Sequence, residues 1–156
     1  MSKHILLIQG HPDSSQQHLC HVLEESYAQG ALAAGHEVRR INVATLEFPL
    51  LRSQNEWEHG ALPAGLVQAQ EAIGWAEHIV FLFPLWMGDM PALLKGFLEQ
   101  VVRPEFAFSR EGKSPLSQGA LGGRSARVVA TMGMPAAVYR WFSNSAPATW
   151  PPETSY

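Results

Sequence analysis

An apolar run of strand length, His78-Ile79-Val80-Phe81-Leu82-Phe83, constrains the fold more than any other part of the sequence. Continuous apolar runs of this kind are typical of strands that are buried on both faces of a parallel sheet. The run from Ile5 to Ile8 has the same character and ends at Gln9-Gly10-His11-Pro12. A shorter and more polar segment, residues 37–43, predicts an outer strand, and residues 127–131 predict a fourth strand.

Helical periodicity fills the intervals between these strands. Residues 16–35 carry apolar side chains at helical spacing and end at Gly35, which offers a C-terminal stop. Further helices are predicted for residues 66–76 and 92–102, whereas residues 44–63 have no clear period and predict a long loop that shapes a site. Strands that alternate with helices imply right-handed crossovers, so the predicted fold class is α/β, a doubly wound parallel sheet.

The composition limits the classes of function. A chain of 156 residues is expected to form one domain, and Cys20, its single cysteine, cannot form a disulfide within the chain. The formal net charge of −3 argues against a nucleic-acid-binding protein, which would carry a basic stripe. The sequence shows neither a signal-peptide core nor an apolar run long enough to cross a bilayer, which favours a cytoplasmic protein.

The loop after the first strand, residues 10–18, offers groups that could bind an anion. It contains neither G-x-G-x-x-G nor the P-loop G-K-[ST], which argues against a Rossmann dinucleotide site and a Walker ATP site. The hydroxyls of Ser14 and Ser15 lie at the mouth of a predicted helix whose first N–H groups are unpaired, so they could cradle a phosphate. The alternative is that one of them only caps the helix, and one residue could do both.

A second loop, residues 84–91, follows the central strand. Its backbone N–H groups at Trp86, Met87 and Gly88 could reach the polar edge of a flat ring such as an isoalloxazine. The alternative is a buried corner between strand and helix that is closed by an apolar plug.

A third loop, residues 131–135, follows the last predicted strand. Gly133 permits a close approach between the backbone and a ligand. Tyr139 adds a hydroxyl on an apolar ring, unless it only packs against its neighbours. Loops at the carboxyl ends of neighbouring parallel strands meet at one edge of the sheet, where ligands bind in this fold class.

The seven histidines do not predict a metal site. His18, Cys20 and His21 are close in sequence, but in a helix only His18 and His21 share a face. No second pair of Cys and His residues completes a tetrahedral ligand set. Cys20 lies between Leu19 and Val22, which favours a small buried side chain over a catalytic thiol.

Four motifs in chain order give the sequence a resemblance to a known family. They are Gln9-Gly10-His11-Pro12, residues 83–97, Glu105-Phe106-Ala107-Phe108 and Thr131-Met132-Gly133-Met134-Pro135. On these motifs the chain, from Ile5 to about Phe142, resembles the flavodoxin-like NAD(P)H:quinone oxidoreductases, the DT-diaphorase-like family. The resemblance implies a flavodoxin-like, flavin-binding domain over residues 1–142, with strand order 2-1-3-4 and without the family's fifth strand.

The resemblance also implies which residues hold the flavin, FAD or FMN. In the first loop, His11 and Ser15 would hold its phosphate arm, with Gln17 and His18 nearby. In the second loop, the residues on the isoalloxazine would be Pro84, Leu85, Trp86, Met87 and Gly88. In the third, the residues along the ring edge would be Thr131, Gly133, Met134 and Tyr139, with Tyr139 as the catalytic candidate. Phe108 would form an aromatic wall of the substrate pocket across a dimer interface.

The activity that the resemblance implies is two-electron hydride transfer by a ping-pong mechanism. NAD(P)H reduces the flavin and leaves, and a quinone takes the vacated position. Such a protein needs positioning and charge stabilisation rather than a nucleophile. A homodimer is expected, since the apolar residues between Phe97 and Phe108 exceed what one helix and loop need. Two alternatives remain open: a flavin-binding regulatory subunit of a potassium efflux system, and an electron-carrier flavodoxin, although such carriers are typically more acidic.

The chain departs from the family pattern in two places. Residues 140–146 contain no histidine, although mammalian-type members carry one a few residues beyond the loop tyrosine. Residues 143–156 have no apolar period and three prolines, so they do not predict a further strand and helix. We therefore expect a truncated or frame-shifted C-terminus with an irregular tail, an exposed edge on the fourth strand, and impaired activity.

Overall fold

The computed structural model describes residues 2–107 and 122–133 of the chain. Three predicted site residues, Phe108, Met134 and Tyr139, lie outside the described residues, as does the predicted irregular tail, residues 143–156.

Four parallel strands form one sheet: β1 (His4–Gln9), β2 (Glu37–Asn42), β3 (His78–Pro84) and β4 (Ser125–Thr131). Their order in the sheet is β2-β1-β3-β4, which confirms the predicted doubly wound, flavodoxin-like arrangement. The register pairs Ile5 of β1 with His78 of β3, and His78 with Ser125 of β4. Because the strands are parallel and nearly level, the loops after β1, β3 and β4 emerge at the same edge of the sheet.

Five helices accompany the sheet in the described ranges: α1 (Leu19–Ala33), α2 (Gln54–His59), α3 (Val67–Trp75), α4 (Ala92–Val101) and α5 (Pro104–Ala107). Two short 3-10 turns cover Val43–Thr45 and Ala64–Leu66. Helix α1 packs on one face of the sheet, whereas α3 and α4 pack on the other. None of the helices in the described part of the chain is both long and apolar enough to cross a membrane.

Successive side chains of a strand point to opposite faces of the sheet. Because helices cover both faces, the central strands β1 and β3 are buried on both sides. Leu6 and Ile8 of β1 belong to the core under α3 and α4, while Leu7 of β1 and Val80 of β3 belong to the core under α1. Burying an aliphatic side chain of this size stabilises the fold by about 1.5–3 kcal/mol. These two apolar runs therefore fix the middle of the domain, as the sequence predicts.

The segment before α3 differs from the prediction of a long loop without structure. It contains helix α2, and the N-cap Ser53 accepts a hydrogen bond from the Glu56 amide at 3.2 Å. The buried Arg103 guanidinium donates to the carbonyls of Glu56 and Gly60, which ties the end of α2 to the end of α4. Sequence periodicity missed α2 because none of its residues is buried.

Strand β4 lies at the edge of the sheet that the described residues form. It pairs with β3 from Ser125 to Thr131, yet most of its side chains are exposed, including Val128 at 62%. The strand begins at Ser125, earlier than the predicted Arg127. In the described part of the sheet, β4 is one of the two edge strands and β2 is the other.

Candidate cofactor site

Three loops meet at the carboxyl ends of β1, β3 and β4. The Gly10 amide donates to the Leu82 carbonyl at 2.7 Å, and the Leu85 amide donates to the Thr131 carbonyl at 2.7 Å. These two bonds join the first loop to β3 and the second loop to β4. Between the loops lies a cavity of about 410 Å³. Its lining consists of His11, His18, Leu19, Cys20, Pro84, Leu85, Trp86, Thr131, Met132 and Gly133.

The first loop leaves β1 in a fixed direction because Gln9 and Gly10 are both buried. The Gln9 side chain accepts a hydrogen bond from the His11 amide at 3.1 Å and donates to Glu24 at 3.1 Å. A Cβ on Gly10 would lie 2.6 Å from a Leu94 methyl and 3.1 Å from Phe83 Cβ, so a larger residue here would have to displace the Leu94 side chain of α4. The side chain of His11 is thereby placed in the cavity wall.

The carboxylate of Asp13 organises the polar part of this loop. Its Oδ1 accepts hydrogen bonds from the Ser15 amide at 2.8 Å and the Ser15 hydroxyl at 2.6 Å. Its Oδ2 lies 2.9 Å from His18 Nε2 and 3.3 Å from Gln16 Nε2. The Ser15 hydroxyl, His18 and the Ser15 amide hold the pKa of Asp13 well below its usual range, since these hydrogen bonds favour the charged form.

Three imidazoles stand beside this carboxylate. The rings of His11 and His18 stack at 3.8 Å, and His21 tilts against both. Burial lowers the pKa of His11, and the nearby His18 lowers it further. In the part of the chain that the structure describes, no three ligating side chains are grouped so that they could hold a metal ion.

Helix α1 begins later than predicted, and its cap is a different residue. His18 is the N-cap, and its amide donates to His21 Nδ1 at 3.0 Å. The alternative in which Ser14 or Ser15 caps the helix is therefore wrong. The physical reason is that Asp13 takes both Ser15 donors, and the chain does not become helical until Leu19.

The second loop is shaped by its backbone. Trp86 and Asp89 exchange both amide-to-carbonyl hydrogen bonds, at 2.9 and 3.1 Å, which closes a two-residue turn. The central residues Met87 and Gly88 have φ values of 54° and 85°, as a type I′ turn requires. The Trp86 amide therefore serves the turn. Its ring is 51% exposed and meets His11 edge-on at 6.2 Å, whereas Met87 is fully exposed.

The third loop continues from β4 along the cavity wall. The Thr131 hydroxyl lies 3.1 Å from Cys20 Sγ, which ties this loop to α1. Burial raises the pKa of the Cys20 thiol, which agrees with the prediction of a small buried side chain. Among the described residues, no heavy atom lies within 4 Å of the position that a Cβ on Gly133 would take.

The cavity brings together seven of the predicted flavin-contact residues: His11, His18, Pro84, Leu85, Trp86, Thr131 and Gly133. Four others lie in the same loops but outside the lining: Ser15, Gln17, Met87 and Gly88. Sequence reasoning did not assign the lining residues Leu19, Cys20 and Met132 to the site, and it missed the role of Asp13. The position of Asp13 between His11 and Ser15 is the one signal that could have indicated that role.

The chain is similar in sequence to a known family and to known oxidoreductases. The sequence profile of the flavodoxin-like fold family matches residues 3–154. The uncharacterized NAD(P)H oxidoreductase of Haemophilus influenzae is 31% identical over 84 residues, which are 54% of this chain and 41% of that protein. The human ribosyldihydronicotinamide dehydrogenase (quinone) is 28% identical over 89 residues, which are 57% of this chain and 38% of that protein.

A solved structure shares the fold over a longer stretch. The NAD(P)H:quinone oxidoreductase from Methanothermobacter marburgensis superposes with a TM-score of 0.72 at 24% identity and covers 93% of this chain and 74% of that one. At this identity the likeness shows the fold alone. The matched stretch spans less than half the length of the two curated relatives. The chain belongs to the flavodoxin-like fold family, and the names of its relatives confirm its resemblance to the quinone oxidoreductases.

Proposed function

We propose that the chain is the flavin-binding part of an oxidoreductase that passes a hydride from NAD(P)H to a quinone. The observation that carries the proposal is the cavity at the carboxyl ends of β1, β3 and β4, which collects seven predicted flavin contacts. Ligands of doubly wound sheets bind at this edge. The relatives named for NAD(P)H and for quinone support the same class of reaction.

The residues of the cavity suit a flat cofactor with an apolar ring and an anionic arm. Its volume of about 410 Å³ falls in the range of small-molecule sites, about 300–1,000 Å³. Trp86 offers a half-exposed ring for contact with the cofactor, and Gly133 leaves room for a close approach. A bound flavin would supply the ability to accept and release a hydride, which no side chain supplies.

The first loop would meet the anionic arm. His11 Nδ1 lies 3.1 Å from both the amide nitrogen and the carbonyl oxygen of Asp13. The described residues offer no hydrogen-bond partner to His11 Nε2, so this nitrogen is the one to donate to a phosphate. Ser15 would have to turn away from the Asp13 carboxylate first, because both of its donors are engaged there.

The protein's part in the reaction would be positioning. The backbone turn at Met87 and Gly88 would hold Trp86 against the ring, and the link from Leu85 to Thr131 would keep the second and third loops together. If NAD(P)H and the quinone use the same opening, they must occupy it in turn, which is the ping-pong order. We also propose a homodimer, in which Phe108 of each copy completes the acceptor site.

The experiment is reconstitution of the full chain with FMN or FAD, followed by NADH or NADPH oxidation with a benzoquinone. Acid release and chromatography of the bound flavin would decide between FMN and FAD. Trp86→Ala is expected to lower flavin retention, whereas Trp57→Ala on α2, outside the cavity, should leave it unchanged. Equal retention in the wild type and Trp86→Ala would show that the second loop has been wrongly assigned.

The same samples would separate the alternatives. A flavin-binding regulatory subunit would bind the flavin yet show no quinone-dependent NAD(P)H oxidation. An electron carrier would show two well-separated one-electron midpoint potentials. Sedimentation at micromolar concentration tests the homodimer, and a monomer at all concentrations would contradict it.

A further inference from the structure

A second cavity, of about 530 Å³, lies at the opposite end of the sheet from the candidate cofactor site. It is bounded by the first residues of β1, β3 and β4, where Ile5, His78 and Ser125 stand level in the register. The second half of α1 lines the cavity together with these strand ends. Strands of this length separate the two cavities by roughly 20 Å, so this cavity is not an extension of the first.

Two positively charged side chains, Lys3 and Arg127, line this cavity. Two imidazoles, His36 and His78, line it as well, and the described part of the lining contains no carboxylate. The nearest acids on α1 are engaged elsewhere, since Glu25 pairs with Arg40 at 2.6 Å and Glu24 accepts from Gln9. Within the described ranges, neither Lys3 nor Arg127 forms an ion pair.

The ring of His78 is fixed between two hydroxyls. Its Nε2 lies 3.2 Å from the Tyr27 hydroxyl, and its Nδ1 lies 2.7 Å from the Ser125 hydroxyl. A neutral imidazole donates one proton and accepts one, so one of these two hydroxyls keeps its own proton for another acceptor. Burial lowers the pKa of His78, and the positive charges of Arg127 and Lys3 lower it further.

The floor of the cavity is apolar and open. Ile5 and Ala31 are buried, and a Cβ on Gly30 would find no heavy atom of residues 2–107 or 122–133 within 4 Å. The last carbonyls of α1 are occupied, because the Ala34 and His36 amides donate to Gly30 and Ala31. The partial negative charge at this helix end favours cations, so Lys3 and Arg127 would have to offset it for an anion to bind here.

We propose that this second cavity binds a small organic carboxylate, with its anionic end between Lys3 and Arg127 and its short apolar chain against Ile5 and Ala31. Charge complementarity selects the anion, and the floor selects the apolar chain. A proton from the Tyr27 or Ser125 hydroxyl would complete the hydrogen bonds of the carboxylate. This proposal is independent of flavin binding.

The test is an NMR titration of the full chain with hexanoate as the probe. We expect saturable shifts in α1 and β4. Arg127→Gln should weaken binding at least about fivefold, because one charge-assisted hydrogen bond at an exposed site is lost. Gly30→Leu should abolish binding by filling the floor, whereas Gly30→Ala should weaken it less. Lys95→Gln, which removes an exposed charge on α4, is the matched control and should bind as the wild type does.

Neutral hexan-1-ol and inorganic phosphate separate the two parts of the recognition, and both should bind more weakly than hexanoate. Hexanol that binds as tightly as hexanoate would overturn the proposal, and so would equal hexanoate affinity in the wild type and Arg127→Gln. Absence of saturable shifts, as when another part of the chain fills the cavity, would overturn it as well. Flavin titration of the same variants is expected to be unchanged.

Discussion

The two loops that wall the candidate cofactor site, residues 10–18 and 84–91, are held in different ways. In the first, the Asp13 carboxylate collects hydrogen bonds from side chains, and stacked imidazoles stand beside it. In the second, a backbone turn with positive φ at Met87 and Gly88 sets the shape. We therefore expect the stability of the first loop to depend on pH and on its side chains. The stability of the second loop should depend only on whether its residues can adopt a positive φ.

The largest expected effect lies in the second loop. Gly88→Val places a β-branched side chain at a φ of 85° and should destabilise the fold by about 1–3 kcal/mol. Met87→Gly relieves the same strain at the neighbouring position and should be neutral or slightly stabilising. Urea unfolding measures both changes. Equal stability of Gly88→Val and the wild type would show that the turn does not hold this loop.

A smaller effect is expected at His11 in the first loop. His11→Asn removes the stack on His18 and a buried ring, which should cost about 1 kcal/mol near neutral pH. The fold lowers the pKa of His11 from its ordinary value of 6.5. Below pH 6.5 the unfolded chain therefore binds more protons than the folded chain, and the free energy of unfolding decreases as the pH is lowered. The stability of His11→Asn should therefore decrease less steeply than that of the wild type as the pH is lowered.

Unfolding midpoints between pH 7 and pH 5 would measure the decline in the two proteins. The pKa of His78 is lowered as well, and its contribution is present in both and cancels. Parallel curves for the wild type and His11→Asn would contradict the account of the first loop. For Gly88→Val we expect parallel curves, which is the control that the comparison supplies.

The smallest effect is expected at Asp13. Its pKa is lowered in the fold, so its stabilising contribution is present above the unfolded value of 3.8 and is lost as the pH falls through the folded value. Asp13→Asn should be less stable than the wild type at pH 7, and the difference should shrink in acid. Ser14→Ala, on an exposed neighbour, is the control. A difference that grows in acid would contradict the assignment.

The fold could be predicted from the sequence for those strands and helices that bury side chains, because burial requires a regular pattern of apolar residues. The apolar runs of β1 and β3 are buried on both faces, and their prediction is confirmed. Helix α2 was missed because it buries no residue and so shows no apolar period. The start of α1 was misplaced because two serines look like caps, while the hydrogen bonds of Asp13 decide the conformation of that loop.

The candidate site could be predicted where a residue itself lines the cavity, because the resemblance carries such residues by position. Gln9 and Asp13 were not singled out, since they act through His11, Ser15 and His18, and only coordinates reveal that. The placement of Met132 in the wall likewise depends on how β4 enters its loop. The roles of Ser15, Gln17 and Tyr139 stay predictions.

A flavin fluorescence titration of the wild type and Gly133→Val tests whether the cavity at the carboxyl ends of β1, β3 and β4 binds a flavin. A Cβ at Gly133 meets no heavy atom of the described residues within 4 Å, so we expect the variant to fold while its side chain intrudes on the ligand. We expect the wild type to quench FMN or FAD and Gly133→Val to bind at least about tenfold more weakly, with Gly30→Ala unchanged. Unquenched fluorescence with the wild type, or equal affinity in Gly133→Val, would contradict the account.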